Sequence, residues 1–274
     1  MNTHPKYPVR VFDNEKEVPY YEDESVKKNE NIWADPSNIS EAELRKRKVW
    51  YNNRLISLDE ANIVFCNNKP LTPIETGING RGLLGKYGPN HAADPIVTRI
   101  NQVTQNVEFI AAKRNDTNQY CIPGGMVDPG ESVSDTLKRE FKEEVASKCD
   151  PKIIDEVFKN GDLLYAGPTY NDPRTTNNAW IETYVMHYHI SKELADKLKL
   201  SPQLSENSKV KWVSCNHPDL YGDHSIYVKK ASNSVLTSAI AEYLLQILVF
   251  IIFLSGFTVF VIYKIDSNLF VKTL

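Results

Sequence analysis

The sequence predicts an α/β fold, a mixed sheet with helices packed on it, and two observations carry that expectation. Five segments rich in β-branched and aromatic residues read as strands bounded by turn residues: VEFIAAKR (107–114), QYCIPGGMV (119–127), DLLYAGPTY (162–170), AWIETYVMHYHI (179–190) and KVKWVSC (209–215). Between the second and third lies a run in which Val133, Leu137, Phe141 and Val145 repeat every fourth position, the spacing of one buried helical face. KELADKLK (192–199) adds a short surface helix. Strands interleaved with helices imply a layered α/β architecture.

Composition bounds the function. A chain of 274 residues holds one large domain, or a small one beside a catalytic one. A net charge of -3 and a pI near 6.1 give no electrostatic footprint for a polyanion, so no nucleic-acid partner is expected. The four cysteines, Cys66, Cys121, Cys149 and Cys215, form no C-x-x-C pair, which argues against a zinc site or a disulfide framework and suits a reducing compartment.

In chain order, residues 1–100 read as a polar accessory region, and the catalytic part as 101–235. Residues 1–32 lack the apolar stretch of a secretory signal, and their acidity argues against a mitochondrial transit peptide. Pro8, Pro19 and Pro36 cut the region into short pieces. In SEAELRKRK (40–48) acidic residues precede basic ones, which favours a short helix with Ser40 as N-cap. The stretch from Gly77 to Arg99 combines glycines with Arg81, Lys86, Asn90 and His91. On its own it reads as a connector, with a phosphate cradle as the sharper alternative.

The chemistry is concentrated between Gly124 and Glu144. A glycine turn leads to Glu131 and then to a helical run carrying Arg139, Glu140, Glu143 and Glu144. Each helical residue advances roughly 100°, so these acids share one face. Like charges packed so closely call for a divalent cation, and Mg²⁺ is usually held by a few carboxylates together with substrate phosphates. An isolated R-E-x-x-E-E is most often a solvated face. Here Gly125, Glu131, Arg139-Glu140 and Glu143-Glu144 stand in the order and spacing of the Nudix box, which the segment resembles. One departure is that Ala146 and Ser147 replace the glycine and apolar residue that usually close the box.

Further segments sharpen the resemblance: WADP (33–36), GRGLLGKYGPNHAADPIVTR (80–99), IPGGMVDPGE (122–131), DPRTTNNAWIET (172–183) and KVKWV (209–213). Together they look like the ADP-ribose pyrophosphatases of mitochondrial type, whose module also serves as the ADP-ribose-sensing domain of melastatin-type cation channels. The resemblance implies a Nudix α/β/α sandwich behind a small N-terminal domain, and it favours the cradle reading of the glycine-rich stretch. It further implies Mg²⁺- or Mn²⁺-dependent cleavage of ADP-ribose to AMP and ribose 5-phosphate; the chain is expected to be a monomer. On the matching positions the metal ligands would be Gly124, Glu140, Glu143 and Glu144. Arg139 would orient the glutamates, Glu131 would tie down the loop, and the proton acceptor would be Glu143, Glu144 or a residue outside the box. Arg81, Asn90, His91, Asp172, Arg174 and Asn178 would contact substrate. Trp180 reads as core, and Tyr221, Asp223 and His224 as weaker candidates for the terminal ribose. Degraded boxes mark the non-catalytic binders of this kind, and the intact acids here favour turnover. Another nucleoside diphosphate derivative remains the alternative substrate.

LLQILVFIIFLSGFTVFVIY (244–263) carries no charge and as a helix spans roughly 30 Å, the thickness of a bilayer core. A tail anchor with the catalytic part facing the cytosol is expected. The alternative is a soluble cytosolic enzyme in which that tail is not retained.

Overall fold

In the computed structural model, which describes residues 18–205, 207–217 and 219–270 and no side chain beyond Phe253, the chain as far as Gly82 is built of short pieces. These are β1 (Tyr20–Glu22), α1 (Glu24–Lys28), α2 (Glu41–Arg45), β2 (Lys48–Tyr51), β3 (Arg54–Ser57), β4 (Phe65–Cys66), β5 (Lys69–Pro70) and β6 (Asn79–Gly82). Ser40 caps α2 as expected: its hydroxyl accepts from the Glu43 N–H at 3.3 Å, and the Glu43 carboxylate accepts from the Ser40 N–H at 3.2 Å. The β2–β3 and β4–β5 hairpins turn on Asn52-Asn53 and Asn67-Asn68, all four at positive φ. Asparagine tolerates that region better than other residues with a side chain.

The rest of the chain supplies β7 (Gly88–Ile100), β8 (Val107–Arg114), β9 (Tyr120–Cys121), β10 (Gly125–Met126), α3 (Val133–Val145) and α4 (Pro151–Val157). It continues with β11 (Asp162–Pro168), β12 (Ala179–His189), α5 (Lys192–Lys197), β13 (Asn207–Ser214) and α6 (His224–Phe270). A seven-stranded mixed sheet runs in the order β11-β12-β7-β8-β13, with β10 beside β7 and β9 beside β8. Strands β7 and β12 are parallel from Gly88 and Ala179 to Thr98 and His189, and every other neighbour in this sheet is antiparallel.

One central strand was not legible in the sequence: residues 88–100 form β7, in the middle of the main sheet. With Ala92, Ala93, Ile96 and Val97 all buried, it is covered on both sides and lacks the alternation that marks a half-exposed strand. The segment 119–127 is not the single strand expected. The Pro123-Gly124-Gly125 turn leaves only the two-residue pieces β9 and β10, since proline donates no ladder bond.

The main core lies where α3 and α4 meet the sheet, with Phe141, Val145 and Ile154 packed against Val97, Ile110 and Tyr188. A second cluster joins the early hairpins to β12: Val49, Leu58, Ala61 and Ile63 surround Trp180, which is fully buried as expected. The indole N–H of Trp180 donates to Glu182 at 2.8 Å, and the other Glu182 oxygen accepts from the Trp50 N–H at 3.1 Å.

Residues 232–274 separate as a second unit, whose described part is helical. Helix α6 contains a stretch long and apolar enough to cross a membrane by length and composition. Leu244, Leu248, Phe250, Ile252 and Phe253 leave their side chains exposed.

Candidate active site

Helix α3 starts at Ser132, whose hydroxyl accepts from the Asp135 N–H at 3.2 Å. Leu137, Phe141 and Val145 bury one face, which fixes the rotation of the helix and turns the acids toward the glycine turn ahead of β10. Both glycines there are needed for space. A Cβ on Gly125 would run into the Glu140 carboxylate, and one on Gly124 into the Asp94 carboxylate. The Gly124 N–H donates to Glu144 Oε2 at 3.1 Å.

Arg139 holds the cluster together. Its Nε and Nη2 donate to the two oxygens of Glu131 at 2.9 and 2.8 Å, and its Nη1 to Glu140 at 2.8 Å and to Glu143 at 3.4 Å. Nη2 also reaches the Met126 carbonyl at 3.2 Å. The guanidinium, with a further bond from the Thr136 hydroxyl, holds Glu131 down at about 2.

Glu144 is buried and lines a cavity of about 380 Å³ together with Asp94, Gly124, Gly125, Asp172, Arg174 and His224. Arg114, Asp116 and Tyr221 complete its polar wall. Asp172 accepts from Arg174 Nε and Nη2 at 2.9 and 2.7 Å. Against the cost of burial, this pairing keeps the Asp172 carboxyl below its ordinary value. Burial pushes Asp94 up to about 6, with Asp172 and Glu140 adding to the shift and the Thr183 hydroxyl opposing it. His224 Nδ1 accepts from the Ile122 N–H at 2.8 Å, and burial lowers its pKa to about 4. His224 is therefore neutral near pH 7 and both fixes the loop before Gly124 and lines the cavity.

A second cavity of about 260 Å³ adjoins the first through Met126 and Arg174, which line both. His91 is on its wall, with Nε2 3.0 Å from the Lys48 carbonyl oxygen. Asn90 also borders it, but its amide is spent on the turn before β7, donating to the Lys86 carbonyl at 2.8 Å and accepting from the Lys86 N–H at 3.1 Å.

Two expected substrate contacts turn inward instead. Arg81 is fully buried, bonded to Glu22, to Glu30 and to the Asp35 carbonyl, so it is a clamp inside the N-terminal part. Asn178 accepts from the Gly80 N–H at 2.8 Å and donates to the Pro70 carbonyl at 3.1 Å. Glu143 is 51% exposed and borders neither cavity. Asp223 caps the Tyr170 and Asn171 N–H groups at 2.5 and 3.2 Å. Sequence reasoning missed Asp94, Arg114 and Asp116. Asp94 sits in an unremarkable run of β7, Arg114 is the last residue of β8, and Asp116 belongs to the turn that follows it.

Among the described residues, no three His, Cys, Asp or Glu side chains are already grouped as metal ligands. The donor chemistry nevertheless fits a hard divalent cation: Glu140, Glu144 and Asp94 bring only carboxylate oxygens to a glycine turn that a Cβ would block.

Residues 90–230 match the NUDIX domain. The chain belongs to the Nudix family of hydrolases and is an enzyme of that class. It is 48% identical to nudix hydrolase 6 of Caenorhabditis elegans over 72% of this chain and 76% of that protein. It is 39% identical to the mitochondrial ADP-ribose pyrophosphatase of Rattus norvegicus over 72% of this chain and 63% of that protein. The transient receptor potential cation channel subfamily M member-like 2 of Nematostella vectensis is 36% identical over 73% of this chain but only 14% of the channel.

Proposed function

We propose that this enzyme hydrolyses the diphosphate of ADP-ribose to AMP and ribose 5-phosphate with Mg²⁺ or Mn²⁺. The observation that carries the reading is the intact acid set: Glu140 and Glu144 meet the glycine turn, Glu144 opens onto a cavity, and Arg174 stands on the wall between that cavity and its neighbour. A degraded box would favour a non-catalytic ADP-ribose-binding module, and the acids here are complete. A different nucleoside diphosphate derivative is the competing substrate.

In this reading Glu140, Glu144 and the Gly124 carbonyl hold the cation, with Glu143 as an outer, solvent-facing contributor. A cation bound there would neutralise the diphosphate and make water more acidic. Arg174, its orientation fixed by two bonds to Asp172, binds the diphosphate and orients it. Water forms a new bond to one phosphorus, the bridging P–O bond breaks, and the bridging oxygen leaves on the other product. Glu144 is the proton acceptor best sited for that water, because Glu143 borders neither cavity. Arg139 keeps Glu140 fixed while Glu131 balances its charge.

The residues before Gly88 act as the accessory wall, through His91's contact with Lys48 and through the second cavity. The apolar part of α6 anchors the enzyme in a membrane with the catalytic unit on the cytosolic side, and the chain works as a monomer.

The test is product analysis. The full chain in mild detergent with Mg²⁺ releases AMP from ADP-ribose, and Glu144→Gln slows this by orders of magnitude while ADP-ribose still binds in calorimetry. Unchanged turnover in the variant overturns the role given to the box. A panel of dinucleotides and nucleotide sugars separates the competing substrates.

A further inference from the structure

We propose that Trp33 is the stacking platform for the nucleobase of the substrate, with the second cavity as the base subsite. This rests on the diphosphate-hydrolase reading above and assigns its two arms. Trp33, Leu83, Leu84, Met126, Val127 and Pro129 give the second cavity an apolar side, and Lys86, His91, Asp128 and Arg174 give it a polar one. Trp33 is 41% exposed and Leu83 50% exposed, so an indole and an isobutyl group stand open at this cavity. Large apolar side chains left open at the mouth of a pocket mark a binding surface.

The indole is held in place from behind. Gly85 lies so close that a Cβ there would collide with Trp33 Cε3 and Cζ3, so the ring rests against bare backbone. The Asp35 N–H donates to the Gly85 carbonyl at 2.8 Å, and the Asp35 carboxylate accepts from the Tyr87 N–H at 2.8 Å and from Arg47 at 2.6 Å. The buried Arg81 bonds the Asp35 carbonyl. The clamp that removes Arg81 from substrate contact thus fixes the turn that carries Trp33. Such pinning lowers the entropy cost of using a large ring as a platform.

Arg174 lines both cavities, so a diphosphate beside it directs one arm each way. A nucleobase is planar and apolar on its faces and suits the indole side, while a polyhydroxyl ribose suits the polar first cavity. Bases stack on aromatic side chains with little regard for sequence-like detail, because every base presents a π-face.

The experiment uses the full chain in mild detergent, with AMP and ribose 5-phosphate as probes. AMP is expected to quench indole emission saturably in the wild type, and Trp33→Phe removes that component while keeping AMP affinity within about threefold, since a phenyl ring still stacks. Trp33→Leu weakens AMP by about tenfold or more, on the scale of one lost stacking contact. Gly85→Ala does the same with the indole still present, because its Cβ pushes the ring off its seat. Ribose 5-phosphate binding stays unchanged in all three. Unaltered AMP affinity in Trp33→Leu and Gly85→Ala overturns the proposal, as does an equal loss of ribose 5-phosphate binding. These binding measurements need no turnover, so a chain that bound AMP on Trp33 yet failed to cleave ADP-ribose would sink the hydrolase reading alone.

Discussion

Glu131 meets Arg139 through both carboxylate oxygens, and the same guanidinium reaches Glu140 and Glu143. One cation therefore sets the position of three acids, and Glu131 is the anchor that keeps it in place. Glu131→Gln preserves the shape but removes the charge. The expected outcome is a stability loss of about 1–2 kcal/mol, measured by urea denaturation, from a weakened charged hydrogen bond on a half-covered pair. Turnover should fall roughly tenfold or more, the usual effect of removing a group that orients metal-binding side chains. Wild-type turnover in this variant would show that Arg139 needs no such anchor.

The parallel pair β7–β12 brings Thr98 between two histidines: its hydroxyl lies 2.7 Å from His187 Nε2 and 2.9 Å from His189 Nδ1. His187 is buried, and its Nδ1 has no hydrogen-bond partner among the described residues. Burial, with His189 adding repulsion, lowers His187 from 6.5 to about 4. Between those values the unfolded chain binds a proton that the folded chain refuses, so the stability is present above pH 6.5 and drains away as pH falls toward 4. The loss amounts to roughly 3 kcal/mol at most, taking 1.4 kcal/mol per unit. Thermal melts across that range should show a shallower pH slope for His187→Gln than for the wild type. Equal slopes would mean that other groups govern the acid limb.

At the scale of the whole chain, the apolar stretch of α6 raises a question of location that the catalytic residues do not address. Leu244, Leu248, Phe250 and Phe253 are exposed, and about 20 helical residues match the thickness of a bilayer core. With a fluorescent label on the N-terminus, the enzyme should stay with the membrane pellet after carbonate extraction. Its release into the soluble fraction would count against an anchor. The accessory region raises a different point. It was legible as short pieces, from its prolines and from the Ser40 cap, but its partners were not. Arg81 illustrates why: a lone arginine among glycines has the composition of a phosphate contact, and only the fold shows that Glu22, Glu30 and the Asp35 carbonyl already occupy it.

The sequence by itself determined whatever depends on near neighbours in the chain. The periodicity of Leu137, Phe141 and Val145 defined α3 and its buried face, the spacing from Gly125 to Glu144 defined the acid cluster, and the strands β8, β11, β12 and β13 followed from local composition. Only the tertiary structure decided which distant residues share a wall with that cluster. It brought Asp94 of β7 against Gly124, set Arg174 on the walls of two cavities, and placed Trp33 on the wall of one of them. Helical and extended periodicities are written into adjacent positions, whereas strand order and loop convergence arise from burying all the apolar faces at once, which no single segment encodes.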